Sequence, residues 1–216
     1  IRGMRKKPLQ TRSRQMVDAL VEATAQTIAE LGLPDTTTNH IAARAGVSVG
    51  SLYQYFDSKE ALVSALLDRI SAELAQLVDR RLNATMDRDV HTVTTDLLTA
   101  VFEFMQQDKS CHLELVRNWQ QLRSPRTILA LERHMLEACR QYLLRHHDAF
   151  RVQNLPAALF VVLSSTLYPI VHYLSQPRPY LRREEVIASL SDMIASYLGT
   201  GTKTPAKRAA RKLRRR

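Results

Sequence analysis

Between Thr36 and Lys59 the chain gathers side chains suited to recognising a surface, not to making or breaking bonds. Hydroxyls at Thr37, Ser51, Tyr53 and Tyr55, the carboxamide of Gln54, the ammonium of Lys59 and a small apolar patch at Val49–Gly50 all fall there. Hydroxyls, an ammonium and helix N-termini fit phosphate oxygens, which set register without reading sequence. A carboxamide can pair with adenine, and a small side chain can touch a base edge or a thymine methyl. Elsewhere the chain offers no nucleophile–base pair, paired carboxylates, metal-ligand spacing or phosphate-binding glycine loop. That argues against the alternative from another class, an all-α enzyme or cofactor carrier, so no catalytic residue, metal or cofactor is expected.

The local pattern says which elements hold these groups. Thr36, Thr37 and Thr38 are N-cap types ahead of a short helix that carries Ile41, Ala42 and Ala45, and Gly46 breaks it. Ser48 can then cap a second short helix in which Leu52 and Phe56, four apart, face a core. Two short helices across a tight Gly-containing turn form a helix-turn-helix, and the second is its recognition helix. With Leu52 and Phe56 turned inward, Gly50, Ser51 and Gln54 occupy the opposite arc, flanked by Tyr53 and Tyr55. Recognition helices enter the major groove by their N-terminal residues, which places Val49, Gly50, Ser51 and Tyr53 near base edges, while Thr37, Tyr55 and Lys59 lie toward the rims.

The rest of the chain also reads as helices, about nine in all, with no run alternating at period two. Arg12–Leu31 has an apolar face of Val17, Leu20, Val21, Thr24, Ile28 and Leu31, stopped at Gly32 and Pro34. Asp57 and Glu60 suggest a capping box for a helix with a stripe of Leu62, Leu66, Ile70, Leu74 and Leu77, ending near Leu82. Further helices are expected over His91–Gln107, over Cys111–Leu122 and from Ser124 to about His147. An uncharged helix follows at 157–174, and a last one at Glu184–Leu198 is closed by Gly199. From Val152 to Pro177 no residue is charged, yet Ser164, Ser165, Thr166, Pro169 and His172 burden a membrane span. Burial inside a bundle or dimer is the preferred reading, with no membrane partner. Pro169 should kink that helix.

Charge divides the chain further. Lys and Arg number 31 against 21 acids, a net +10. Residues 1–14 hold six basic side chains and 203–216 hold eight, with no acid in either, so the body between them carries a net −4. Residues 36–59 hold only Arg44 and Lys59 against Asp57. The specific reader is thus nearly neutral, flanked by two adhesive arms, and the second arm has the composition of a disordered tail. The organisation expected is an arm at 1–11, the helix-turn-helix domain at 12–58, a larger domain at 59–200 and a tail at 201–216. Cys111 and Cys139 form neither a disulfide framework nor a zinc pattern and suit a reducing cytoplasm. His146 and His147 point about 100° apart on a helix, a poor metal pair. The basic start leads into an amphipathic segment, so export is not expected.

The stretch Thr37, Ile41-Ala42, Ala45-Gly46-Val47-Ser48, Gly50, Leu52-Tyr53, Tyr55-Phe56 and Lys59-Glu60-Ala61-Leu62 resembles the N-terminal signature of the tetracycline-repressor (TetR) family of bacterial transcription regulators, over about fifty residues from Thr11-Arg12. The resemblance implies a homodimer bound to double-stranded DNA at a palindromic operator, with DNA contacts at Thr38, Asn39, Val49, Gly50, Ser51, Tyr53, Gln54, Tyr55 and Lys59. Asn39 stands where many members carry a basic residue. It also implies a small-molecule effector held among the middle helices, dimerisation through the last two, and cytoplasmic residence on the nucleoid. Recognition helices would lie roughly 34–36 Å apart. Beyond Leu62 the likeness is one of helix count and order only. Apolar and amphipathic residues on the middle helices make Phe102, Phe104, Met105, Trp119, Met135, Tyr142 and Tyr168 the expected pocket. Effector binding is expected to act by shifting the fourth helix, which joins the two domains. An effector-independent or nucleoid-type DNA binder that uses its basic arms is the alternative within DNA binding.

Overall fold

A computed structural model describes residues 11–85, 87–107, 111–122 and 154–199, together with positions 133, 135–137, 139, 142, 144, 145, 150 and 152. Residues 1–10, the tail beyond 199 and most of the helix expected over 124–147, including its cap at Ser124 and the pair His146–His147, lie outside the described residues. Among the described residues nine helices run in order: α1 (Thr11–Leu31), α2 (Thr38–Arg44), α3 (Val49–Tyr53), α4 (Lys59–Ala84), α5 (Val90–Met105), α6 (His112–Arg117), α7 (Trp119–Leu122), α8 (Leu155–Ser175) and α9 (Arg183–Leu198). The described positions among 133–145 are helical too. The protein is all-α.

α1 buries Leu20, Val21, Thr24 and Ile28, and the Thr24 and Thr27 hydroxyls survive burial by donating to the Leu20 and Ala23 carbonyls at 2.7 and 2.6 Å. Leu31 does not complete this face. It is 39% exposed, because the chain turns at Gly32 (φ +82°) and Leu33 takes the place against the core.

The α4 cap falls one residue later than the sequence suggested. Ser58 has the extended backbone of a cap (φ −160°, ψ 171°) and its Oγ accepts the Ala61 amide at 3.2 Å. Glu60 therefore lies at the second helical position, where it cannot close a capping box. The buried stripe of α4 also departs from expectation. Leu62, Leu66 and Ile70 are buried, but Val78 and Leu82 continue the stripe while Leu77 is half-buried. Each four-residue step turns the stripe by about 40°, so between Leu62 and Leu82 it swings by about 200°. The two halves of α4 face two different cores.

The first core joins α1, α2, α3 and the N-terminal half of α4 to Cys111 and Leu115 beside α6. The second gathers Val78 and Leu82 with α5, Met135, Tyr142, α8 and α9. A third lies where Leu98 and Phe102 of α5 meet Val116, Ile170, Leu174 and Leu190. The single helix expected over Cys111–Leu122 is broken at Asn118, whose side-chain amide donates to the Glu114 carbonyl at 2.8 Å and competes with the helical ladder.

α8 starts at Leu155, two residues before the uncharged helix expected at 157–174. Asn154 accepts the Ala157 amide at 3.1 Å, Pro156 sits in the first turn, and the helix runs through Pro169 to Ser175. Pro156–Ser175 is long and apolar enough to cross a membrane by length and composition (mean hydropathy 1.6), but within the chain only 22% of its apolar window is buried. Phe160, Val161 and Tyr168 face outward, so burial all round is not achieved by one copy. α9 packs along α5, and Glu185 accepts the Arg182 amide at 2.9 Å at its start. That bond holds the Glu185 carboxyl below its ordinary value.

Candidate nucleic-acid interface and effector cavity

The α2–α3 corner is set by three local devices. Thr37 caps α2 by accepting the His40 amide at 3.2 Å, and Ser48 caps α3 by accepting the Ser51 amide at 3.0 Å. Between them Gly46 adopts φ +69°, a left-handed conformation that costs a Cβ-bearing residue, and Val47 donates back to the Ala42 carbonyl at 3.0 Å. Ile41, Ala42, Leu52 and Phe56 fix the corner on α1 and α4, each at most 1% exposed.

With that face buried, Gly50, Tyr53 and Gln54 are exposed, and Val49 and Ser51 are half-buried beside them. Thr37 and Asn39 are exposed and Thr38 is half-buried at the edge of α2. The Tyr53 hydroxyl lies 3.3 Å from Thr38 Oγ1, which joins the outer side of α3 to the start of α2. Ser51 Oγ is 2.8 Å from Ser48 Oγ, so one of its hydrogen-bonding directions is already taken. Tyr55 is half-buried against the first core. Lys59 donates to the Leu33 carbonyl at 3.3 Å, which anchors its ammonium at the α1–α2 turn with protons left over for another acceptor. Arg44 pairs with Glu30, which leaves the corner close to neutral. His40, which sequence reasoning passed over, lies exposed one turn from Thr37 on the same edge.

The larger domain holds an apolar cavity of about 210 Å³ between α4, α5, α8, α9 and the helical positions Met135, Cys139 and Tyr142. Leu74, Val78, Leu97, Leu163 and Ile194 typify its wall, and no described lining residue is charged. Burial pushes the Cys139 thiol up to about 11 and raises Tyr142, whose hydroxyl donates to the Arg88 carbonyl at 3.3 Å. A second apolar cavity of about 110 Å³ lies between α4, α5, α6, α7 and α8.

Of the pocket residues expected from the sequence, Met135 and Tyr142 line the larger cavity, and Met105 and Trp119 line the smaller. Phe102 lines neither; it is fully buried and packs edge-on against Tyr173. Phe104 stacks on His112, with centroids 4.6 Å apart, and Tyr168 is 65% exposed beside His172. Most of the wall is aliphatic and was missed, because in sequence a Leu or Val lining a cavity has the same spacing as one filling a core.

α6, which lines the smaller cavity, reaches the first core at Leu33. Glu114, on α6, accepts the Leu33 amide at 3.3 Å through Oε1, the same oxygen that accepts Asn118 Nδ2 at 2.9 Å. Since Lys59 holds the Leu33 carbonyl, one peptide residue is gripped from both α6 and α4.

A three-helix helix-turn-helix corner continuous with a helical bundle that holds an apolar cavity has the form of a DNA-contacting surface joined to a ligand-sized space. Residues 20–66 match the model of the bacterial regulatory proteins of the tetR family. Those residues run from within α1 into the first turns of α4. The chain is 41% identical over 76 residues to the HTH-type transcriptional regulator BetI of Klebsiella pneumoniae (strain 342), a match that covers 35% of this chain and 37% of BetI. The matched segment thus spans little more than a third of the length of that curated relative. In fold the likeness extends much further. A putative TetR-family regulator from Mesorhizobium loti superposes with a TM-score of 0.67 at 16% identity, covering 88% of this chain and all of that one. Thermus thermophilus FadR, a TetR-family repressor solved in complex with lauroyl-CoA, superposes with a TM-score of 0.64 at 21% identity, covering 88% and 98%.

Proposed function

We propose that the protein is a transcriptional repressor that binds a palindromic operator as a homodimer and is released by a small, largely apolar effector. The observation that carries this reading is the α2–α3 corner, where two side-chain-capped helices meet across Gly46 and Tyr53 and Thr38 join their outer edges. Val49, Gly50, Ser51, Tyr53 and Gln54 then face the bases, and Thr37, Thr38, Asn39, Tyr55 and Lys59 approach the phosphates. The half-site mate is a second copy, joined through the outward faces of α8 (Phe160, Val161, Tyr168) and α9 (Met193, Tyr197), all exposed in one chain. This accounts for an uncharged helix without a membrane and suits a bacterial cytoplasmic protein.

The uncharged cavity favours an apolar effector, and a relative of the same fold holds an acyl-CoA. α4 forms walls of both the reader's core and the cavity, so a shift of this helix on ligand binding alters the separation of the recognition helices. Selecting binding sites from random double-stranded DNA tests the reading. A palindrome with half-site centres about one helical turn apart is expected, retained in competitor DNA. Recovery of no motif, with affinity that collapses steeply with salt, would favour the arm-driven nucleoid type instead.

A further inference from the structure

The two cavities are neighbours that share a wall. Leu74 of α4, Val101 of α5, and Leu167 and Ile170 of α8 line both. Along α4 the smaller lobe runs from Leu67 to Leu74 and the larger from Leu74 to Leu82, so together they extend over about 22 Å at 1.5 Å per residue. Neither lobe is roomy by itself. A cavity of about 150 Å³ accepts a single benzene ring, and these measure about 210 and 110 Å³. The space therefore suits a long, thin ligand better than a broad, rigid one.

Its chemistry points the same way. Within the larger lobe the Thr94 and Thr166 hydroxyls are turned back onto the Val90 and Val162 carbonyls at 2.7 and 2.6 Å. In the smaller lobe, His112 Nδ1 donates to the Phe104 carbonyl at 2.9 Å. These polar groups are occupied, and no described wall residue is charged, so a charged group inside would lose hydration without a counter-charge.

We propose that the effector carries an unbranched aliphatic chain that enters the larger lobe and passes between Leu74, Val101, Leu167 and Ile170 into the smaller one, its polar head remaining outside. This rests on the cavity being the effector site. It adds a chemical class and a direction, since the chain's end arrives beside Leu115 and Val116 of α6, the helix whose Glu114 grips Leu33.

The test uses the full chain and the 1-alkanols from hexanol to dodecanol, with direct binding followed by calorimetry and operator binding by fluorescence anisotropy. Binding should tighten about fourfold per added methylene and continue past the length that fills the larger lobe. Val101→Phe, which plugs the partition, should halt the gain at a shorter chain than in wild type, and Val101→Ala should carry it to a longer one. The same plateau in wild type and both variants would overturn the proposal, as would 1-adamantanol binding as tightly as decanol. Alkanols that bind as expected but leave operator affinity unchanged would sustain the channel and remove its role as effector site. Absence of alkanol binding beside intact operator binding would sink the channel alone.

Discussion

The α2–α3 corner and the cavity are joined by α4, yet the demands they make on sequence are opposite. At the corner, individual positions need individual residue types: a hydroxyl at Thr37 to hold the His40 amide, one at Ser48 to hold Ser51, and a residue without a Cβ at Gly46. Around the cavity, Leu, Val and Ile serve alike so long as they are apolar and leave space. Likeness to other proteins follows the same divide, since the sequence match to BetI covers about a third of the chain while the fold match to the Mesorhizobium loti protein covers 88% of it. A site specified by hydrogen-bond geometry stays recognisable in letters; a site specified by volume does not.

The comparison can be broken by truncating one side chain from each region. Phe56→Ala, at a fully buried position in the corner, should cost about 3–5 kcal/mol in denaturant unfolding. Leu163→Ala, at a half-buried cavity wall, should cost about 2 kcal/mol, because one side of Leu163 already lacks packed neighbours. Equal costs would show that the cavity wall is packed as tightly as the corner.

Gly46→Ala should cost about 1–2 kcal/mol and Gly46→Asn less, since the space around Gly46 is open and only its left-handed backbone resists a side chain. Similar losses for both variants would mean that contact, not conformation, selects glycine there.

Glu114→Gln keeps the shape of the Leu33 contact but removes its charge. Stability should fall by less than about 1 kcal/mol, while the ligand-induced change in operator affinity should shrink severalfold. Undiminished coupling in anisotropy titrations would leave α4 as the route between the regions.

A last effect is confined to alkaline pH. Burial raises both Cys111 and Cys139 from 9.0 to about 11, so the folded state favours the neutral thiols. Their contribution to stability is fully present below pH 9 and is lost as pH rises from 9 to about 11. Unfolding curves of the Cys111→Ala/Cys139→Ala variant should flatten over that window, and an unchanged slope would contradict the burial of the thiols.

The extent to which the sequence was legible follows the same physics. Helix type and order were readable because apolar spacing, caps and glycine stops recur within one or two turns. Ser58 displaced Asp57 as the α4 cap because two adjacent cap types compete, and only the extended backbone at Ser58 decides between them. The break at Asn118 was hidden, since it depends on a side chain choosing the Glu114 carbonyl over solvent. Aromatic residues drew attention to Phe102 and Tyr168, but one is locked in the third core and the other faces out. The Glu114–Leu33 contact, 81 residues apart in sequence, leaves no local signal at all.

The turning stripe of α4 makes this helix a keyed shaft between two machines. Adding one residue between Ile70 and Val78 would rotate the reader by about 100° against the cavity and uncover both buried faces. Adding seven would restore the phase to within about 20° yet lengthen the shaft by about 10 Å. In a two-fold assembly that change would fall on the span between recognition helices. The number of residues in α4 is therefore a phase setting, which allows the cavity wall to drift in sequence while the shaft keeps its length.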